Sequence, residues 1–550
     1  MKRNRNLLAS VTLAAIALAA TQAHAAPLPD RVHAAAQARV QAGQYPALVI
    51  ASVDGDRSQV DAFGKLDDGR APDGDTVFEI GSLTKTFTAT LLAQDVAAGR
   101  LKLDTPVADL LTGWTLPSRG GKPITLLDLA DQHSGLPRMP GNIQPADAAN
   151  PYADYDTAKL RAFLAGYTLP RDPGASYEYS NLGFGVLGVA LAQHADTTYA
   201  GLLETRLLRP LGMRASGVVL DAAMRTRLAA GHGDDGQPAG NWDFDALAGA
   251  GALRSSANDL LRYLRANMAA AASHTGSAMK LAQQPGRDVG ADERIGLAWM
   301  TRKTKTGDIV WHNGMTGGYA SAMAFDASGK RGVIVLTNIA SSVDDLAFAA
   351  LDADAPLAPA RKAIALDVAT LDDYVGDYRL AEHFILNISR RDGQLFAQAT
   401  GQGAFPVYPS ARDEFFARVA GIAISFHRDA NGRIDRLTLH QNGDHDAPKL
   451  DGTPDASASS IASASAALAD YTGQYQLAPG MRFGVTIKDA QLYAQLSGQA
   501  AFPLHSIARD RFGYRVVDAQ LTFERDKEGR VIALVLHQNG RGQRAPRVTP

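Results

Sequence analysis

The sequence predicts an α+β domain, an antiparallel sheet beside a buried helix, followed by two small all-β barrels. Three observations carry this. The strand pair Ala47–Val53 and Gln59–Gly64 flanks the turn Asp54-Gly55-Asp56, and a strand–Gly–helix passage follows from Val77 to Gly99. Beyond residue 370 the chain becomes short strands and tight turns, and it repeats itself: Tyr374-Val375-Gly376-Asp377-Tyr378 returns 97 residues later as Tyr471-Thr472-Gly473-Gln474-Tyr475. An Ala/Asp/Pro-rich linker, 351–370, separates the two regions. At 550 residues the chain exceeds a single core. The expected units are a leader at 1–25, the α+β domain at 26–355, and β-modules at 371–450 and 468–547.

Met1–Ala25 reads as a cleaved secretory signal peptide. Lys2, Arg3 and Arg5 precede the apolar run Leu7–Ala20, which is too short to span a bilayer, and Ala23-His24-Ala25 supplies an A-x-A site. The expected location is the bacterial periplasm or beyond, with no membrane insertion after cleavage. The net charge of −2 contains no basic surplus for nucleic acid or an anionic membrane, and losing those three cations makes it more acidic. Cysteine is absent, which excludes disulfides, thiolate metal sites and cysteine nucleophiles. No cofactor or metal is implied.

Val32–Ala42 is Ala-rich and predicted helical. After the strand pair, Val77-Phe78-Glu79-Ile80 reads as strand and Gly81 breaks it. From Ser82 the pattern is helical: Phe87, Leu91, Leu92 and Val96 mark one buried face, and Gly99 ends the helix. Ser82-Leu83-Thr84-Lys85 is a Ser-x-x-Lys motif, so Ser82 and Lys85 point together one turn apart. A serine hydroxyl needs a base to become a nucleophile, and a lysine becomes that base when burial disfavours its charged form. The helix N-terminus also offers the Ser82 N–H to an oxyanion. The plainer alternative is a capping serine and a surface lysine.

Ile124–Asp131 is predicted helical and leads into His133-Ser134-Gly135-Leu136-Pro137, a loop expected near the site. A lone loop histidine such as His133 is more often structural. A second polar loop, Ser176-Tyr177-Glu178-Tyr179-Ser180-Asn181, precedes an apolar helix, Leu182–Ala192. Tyr179 can shuttle a proton if a cation lowers its pKa, and Asn181 can hold both the lysine and a substrate amide. The G-x-G-x-x-G of Gly183–Gly188 follows no strand and lies in no βαβ unit, so it is not read as a dinucleotide site. A third constellation, His312-Asn313-Gly314-Met315-Thr316-Gly317-Gly318, stands between predicted strands Asp308–Trp311 and Ala320–Phe325. Gly314 permits close backbone approach, and the Met315 N–H is a second candidate oxyanion donor. Lys305-Thr306-Gly307 spells a competing motif but falls in an expected hairpin turn.

Ser-x-x-Lys, Tyr-x-Asn and His-x-Gly in this order resemble the serine β-lactamase and penicillin-binding-protein superfamily, in its class C-related branch. Arg209-Pro210-Leu211-Gly212-Met213, Gly251–Leu260 and Gly296-Leu297-Ala298-Trp299 match as well. The resemblance covers about residues 30–350. It implies an antiparallel sheet flanked by helices plus a helical subdomain between the first and third motifs. It also implies that Ser82 is acylated, Lys85 activates it, Tyr179 is the general acid/base, Asn181 positions substrate, and His312 orients or protonates it. Class C β-lactamases carry Lys at the third motif, and His-x-Gly resembles instead some DD-carboxypeptidases and D-aminopeptidases. Those β-lactamases also tend to have Gln after the loop corresponding to His133–Pro137, where this sequence reads Leu136-Pro137-Arg138-Met139-Pro140 with no Gln. The expected activity is acyl-enzyme hydrolysis of D-amino-acid peptides or amides. The alternatives are an esterase, a weak β-lactamase, or a sensor that acylates without turnover.

The repeat continues through Gln394-Leu395-Phe396 and Gln491-Leu492-Tyr493, and through His440-Gln441-Asn442-Gly443 and His537-Gln538-Asn539-Gly540. Residues 455–467, rich in Ser and Ala, form a linker. The modules resemble lipocalin-like domains attached to some hydrolases of this superfamily. No ligand set in the sequence surrounds His440 or His537, and both are expected to mark turns. Restricting access, binding substrate and making homo-oligomer contacts are all open to the modules.

Overall fold

The computed structural model describes residues 28–269, 274–290, 292–381 and most of 384–548. The expected leader and the 455–467 linker lie outside the described residues. Helix α1 (Asp30–Gln41) precedes strands β1 (Ala47–Asp54) and β2 (Arg57–Gly64). Helix α2 (Thr84–Ala97) opens a helical stretch with α3 (Asn181–His194), α4 (Ala248–Gly251), α5 (Ala257–Met268) and α6 (His274–Gln283). The chain then returns to strands β3 (Arg287–Gly290), β4 (Glu293–Ile295), β5 (Met300–Arg302), β6 (Ile309–Met315), β7 (Ala320–Asp326) and β8 (Arg331–Thr337), and closes on α7 (Asp344–Leu351).

These eight strands form one antiparallel sheet in the order β2-β1-β8-β7-β6-β5-β4-β3. Both faces of its centre are covered. Ala47, Val49 and Ala51 of β1 join a core with Phe87 and Leu91 of α2, while Leu48 and Ile50 pack with Val32 of α1 and Leu346 of α7. That is why Ala47–Val53 reads as continuously apolar and not as alternating. The strand at Val77–Glu79 pairs with Arg254–Ser256, apart from the main sheet, and Val77 also bridges Leu228.

Two expectations for the first domain need correction. Helix α2 does not bury one face; residues Thr84–Asp95 are buried all round, because the helix lies between the sheet and the helical stretch. Its polar side chains tolerate this because their hydroxyls are bonded: Thr86 Oγ1 to Leu83 O (2.8 Å), Thr88 Oγ1 to Gly249 O (2.7 Å), Thr90 Oγ1 to Thr86 O (2.8 Å). The strand expected to stop at Trp311 runs on to Met315, so His312-Asn313-Gly314-Met315 are strand residues, paired with Met323 back to Ala320.

The tail is all-β and barrel-like. In the first repeat eight strands, β9 (Gly376–Ala381) to β16 (Asp444–Pro448), lie in consecutive order, and the two edges meet at one bridge, Tyr378↔Lys449. In the second, β17 (Gly473–Ala478) to β24 (Arg541–Val548) close into a barrel. The repeat extends to side-chain bonds. Tyr374 Oη donates to Asp413 Oδ1 and Tyr471 Oη to Asp510 Oδ1, both at 2.9 Å, and Arg428 and Arg525 bind those same aspartates. His440 and His537 lie in strands and not in turns.

Candidate active site

Ser82 sits in a short 3-10 turn, Gly81–Leu83, that feeds directly into α2. Lys85 follows in the first turn of α2 and is wholly buried. Its Nζ lies 2.8 Å from Ser82 Oγ, 2.7 Å from Asn181 Oδ1 and 2.8 Å from Ala250 O. Burial, and then the nearby Arg138 charge, hold its pKa well below the ordinary lysine value. A neutral amine has two N–H groups and one lone pair. The amide oxygen and the carbonyl can only accept, so they take both N–H groups, and the lone pair faces the Ser82 hydroxyl.

Tyr179 Oη donates to the same Ser82 Oγ at 2.6 Å. Burial pushes its pKa up to about 12, although the Ser82 bond and Arg138 oppose the shift. Arg138 is a cation that pulls it down, but burial outweighs that pull, and the group is a neutral phenol that presents a proton to Ser82.

The Tyr179–Asn181 segment is held by the loop at His133–Pro137 and its neighbours. Ser180 N donates to Gln132 Oε1 (2.7 Å), Ser180 Oγ to Pro137 O (2.7 Å) and Asn181 N to Arg138 O (2.9 Å). Gln132 adopts φ 65°, an uncommon conformation for a non-glycine residue. His133 is buried with Nδ1 bonded to Asp131 O, so it braces the loop and does not reach Ser82 chemistry. Glycines 185 and 188 of the rejected G-x-G-x-x-G let α3 press against α4. A Cβ on Gly188 would lie 3.0 Å from Gly249 Cα, and that contact sets Ala250 O beside Lys85.

The third motif arrives from β6. A Cβ on Gly314 would fall 2.0 Å from Ile80 O and 2.8 Å from Ser82 N, and one on Gly81 2.7 Å from Met315 N, so two glycines allow turn and strand to touch. Thr316 N donates to Tyr319 O at 3.0 Å, which makes the neighbouring Met315↔Ala320 pair a non-hydrogen-bonded one. The Met315 N–H therefore points away from β7, on the side that β5, paired only as far as Trp311, no longer covers. His312 shares the Gly314 face of the strand. Its Nδ1 donates to Asn313 O at 2.6 Å, and burial above all, with Lys85 disfavouring a second cation beside it, holds its pKa down to about 3. Of its two expected roles, protonating the substrate is incompatible with a neutral imidazole; orienting it is not. Lys305 is highly exposed in the β5–β6 turn, near Asp354.

Several site features have no clear sequence signal. Ala250 contributes only a carbonyl. Arg138 stands with its guanidinium 4.9 Å from the Tyr179 ring centroid. Trp242, Phe244 and Tyr152 wall the cleft with Met139. Beneath the cleft the buried pair Glu79–Arg254 anchors this wall, with Trp242 N donating to Glu79 Oε1 (2.9 Å) and Arg254 Nη2 to Trp242 O (2.6 Å). In the first β-module, His440 bridges Ser425 Oγ (2.9 Å) and Asp444 Oδ1 (2.6 Å), a neighbour set that the sequence reading did not see. Ser425 Oγ also donates to Glu414, and the second repeat has Thr522 in place of Ser425, Arg511 in place of Glu414 and Arg541 in place of Asp444. Among the described residues no His/Asp/Glu group is arranged to hold a metal, and no helix is long and apolar enough to cross a membrane.

A family profile described as Beta-lactamase matches residues 32–356, and one described as a domain of unknown function (DUF3471) matches 360–454 and 457–545. The chain is 29% identical over 328 residues to a D-alanyl-D-alanine-carboxypeptidase/endopeptidase, AmpH, of Escherichia coli K12, covering 54% of this chain and 83% of that protein. It is 24% identical over 431 residues to penicillin-binding protein 4* of Bacillus subtilis, covering 70% and 90%. Its fold matches a β-lactamase/D-alanine carboxypeptidase of Pseudomonas syringae with TM-score 0.53 at 24% identity, over 60% of this chain and all of that one.

Proposed function

The chain belongs to the beta-lactamase family, and from that premise we propose an exported acyl-serine hydrolase that cleaves D-amino-acid-containing peptides or amides, of the DD-carboxypeptidase or D-aminopeptidase type. The observation that carries the chemistry is the hydrogen-bond set around Ser82 Oγ, with a neutral amine on one side and a neutral phenol on the other. Ser82 Oγ attacks the substrate carbonyl and gives its proton to Lys85 Nζ. The N–H groups of Ser82 and Met315 face the oxyanion. Tyr179 Oη passes its proton to the departing group and regains one from the Lys85 ammonium. Water then hydrolyses the Ser82 ester with the same groups reversed. Asn181 holds Lys85 and offers its amide to the substrate, and neutral His312 helps position it.

The D-peptide reading is supported by histidine in the third motif, where class C β-lactamases carry lysine, and by likeness to a protein named as a D-alanyl-D-alanine-carboxypeptidase/endopeptidase. A substrate panel tests it: D-Ala-D-Ala peptides, D-aminoacyl amides, nitrocefin and p-nitrophenyl esters. The expected result is steady turnover of the D-peptides or D-amides at the highest kcat/KM. A product burst without turnover would mark a sensor, and preference for nitrocefin a β-lactamase; either overturns the reading.

A further inference from the structure

The cleft holds several potentially cationic side chains, and all but one are neutral or occupied. Lys85 is buried and held toward its neutral form by burial and by Arg138. His312 is buried and neutral, with its Nδ1 proton committed to Asn313 O. Arg254 is engaged by Glu79, Asp243, Val218 O and Trp242 O. Arg138 is different. It is exposed on the loop whose carbonyl fixes Asn181, and its neighbour Met139 lines the cleft. Its guanidinium stands over the face of Tyr179, on the ring whose hydroxyl binds Ser82. Among the described residues it has no carboxylate within ion-pair distance. Its charge is felt at Lys85, Tyr179, Tyr152 and Tyr177.

We propose that Arg138 is the specificity-determining residue for a free carboxylate on the substrate. A carboxylate brought to this rim meets a planar guanidinium with its N–H groups free. The aromatic wall of Tyr152 and Trp242 keeps water from one side of the approach. A neutral third motif leaves this task to no other cation among the described residues of the cleft. This rests on the acyl-serine reading and narrows it: the preferred substrate is an acyl-D-amino acid with its carboxylate free, as in a carboxypeptidase, and not an amide or neutral ester.

The test compares substrates that differ only in that charge. One pair is an acyl-D-Ala-D-Ala peptide and its C-terminal amide. The other is the ester of an N-acyl-D-alanine with D-lactic acid, whose free carboxylate lies on the leaving group, and the same ester of D-lactamide. The readout is the ratio of kcat/KM, acid over neutral, so that any effect of Arg138 on Lys85 or Tyr179 cancels. In the native protein the ratio is expected above about 10, falling as salt rises. Arg138→Gln should bring it to about 1, and Arg138→Lys should restore part of it. An unchanged ratio in Arg138→Gln, or a native ratio of 1 or less, overturns the assignment. The ester pair decides this even if neither peptide is turned over, and that second outcome would count against the D-peptide reading alone.

Discussion

Lys85 Nζ lies 2.8 Å from Ser82 Oγ, with its other two neighbours, Asn181 Oδ1 and Ala250 O, able only to accept hydrogen bonds. The amine is thus oriented with its lone pair toward the serine. Because burial and Arg138 lower the Lys85 pKa, the neutral form exists well below pH 10.5. Ester hydrolysis should rise with pH through that depressed value and level off before the ordinary lysine range. Lys85→Arg, which stays cationic, should cost about 10²–10⁴-fold in kcat/KM. A pH–rate limb at 10 or above would contradict this.

Tyr179→Phe removes one hydroxyl and leaves the ring that both Lys85 and Arg138 approach. It should lower kcat by about 10²-fold or more, with little change in KM for a small ester and no loss of melting temperature. Comparable kcat in the variant would remove Tyr179 from the proton path.

His312 and Lys305 separate two competing third motifs. His312→Ala should lower kcat/KM substantially, since the ring is buried on the Gly314 face. Lys305→Ala, on the exposed turn, should leave it within a few-fold. With its pKa near 3, His312 should contribute no limb between pH 5 and 8. The reverse pattern of losses would restore Lys305-Thr306-Gly307 as the working motif.

The β-modules are expected to tune access and leave the chemistry to the first domain. The two cores of that domain draw on residues 28–357 and on none from the tail. The first module does touch it, where Tyr408 Oη donates to Asp234 O at 3.0 Å. Truncation after Ala360 should leave a folded hydrolase with small-ester activity within about 10-fold, and altered selectivity for large peptides. A soluble, folded truncation without ester hydrolysis would place part of the active site in the tail.

The legible parts of this protein were local ones. The three-residue spacing of Ser82 and Lys85 and the loop-to-helix junction at Asn181 are read directly, since a helix dictates which side chains share a face. The 97-residue repeat foretold two like modules, and the structure extends the likeness to the Tyr374 and Tyr471 bonds. What needed the structure was burial. The Tyr179 pKa moves up because desolvation exceeds the pull of Arg138, a balance no spacing reveals. Asn313-Gly314 falls between the two predicted strands, yet β7 pairs with it and keeps it in a strand. The methyl of Ala250 announces no role, because only its carbonyl acts.

The most direct test of the account is to locate the covalent adduct. The protein is trapped with a fluorophosphonate or a penicillin, digested, and its peptides are mapped by mass spectrometry. The adduct is expected on Ser82 and nowhere else, and Ser82→Ala should take up no label. An adduct on another serine, such as Ser425 beside His440 and Asp444, or full labelling of Ser82→Ala, would contradict the account.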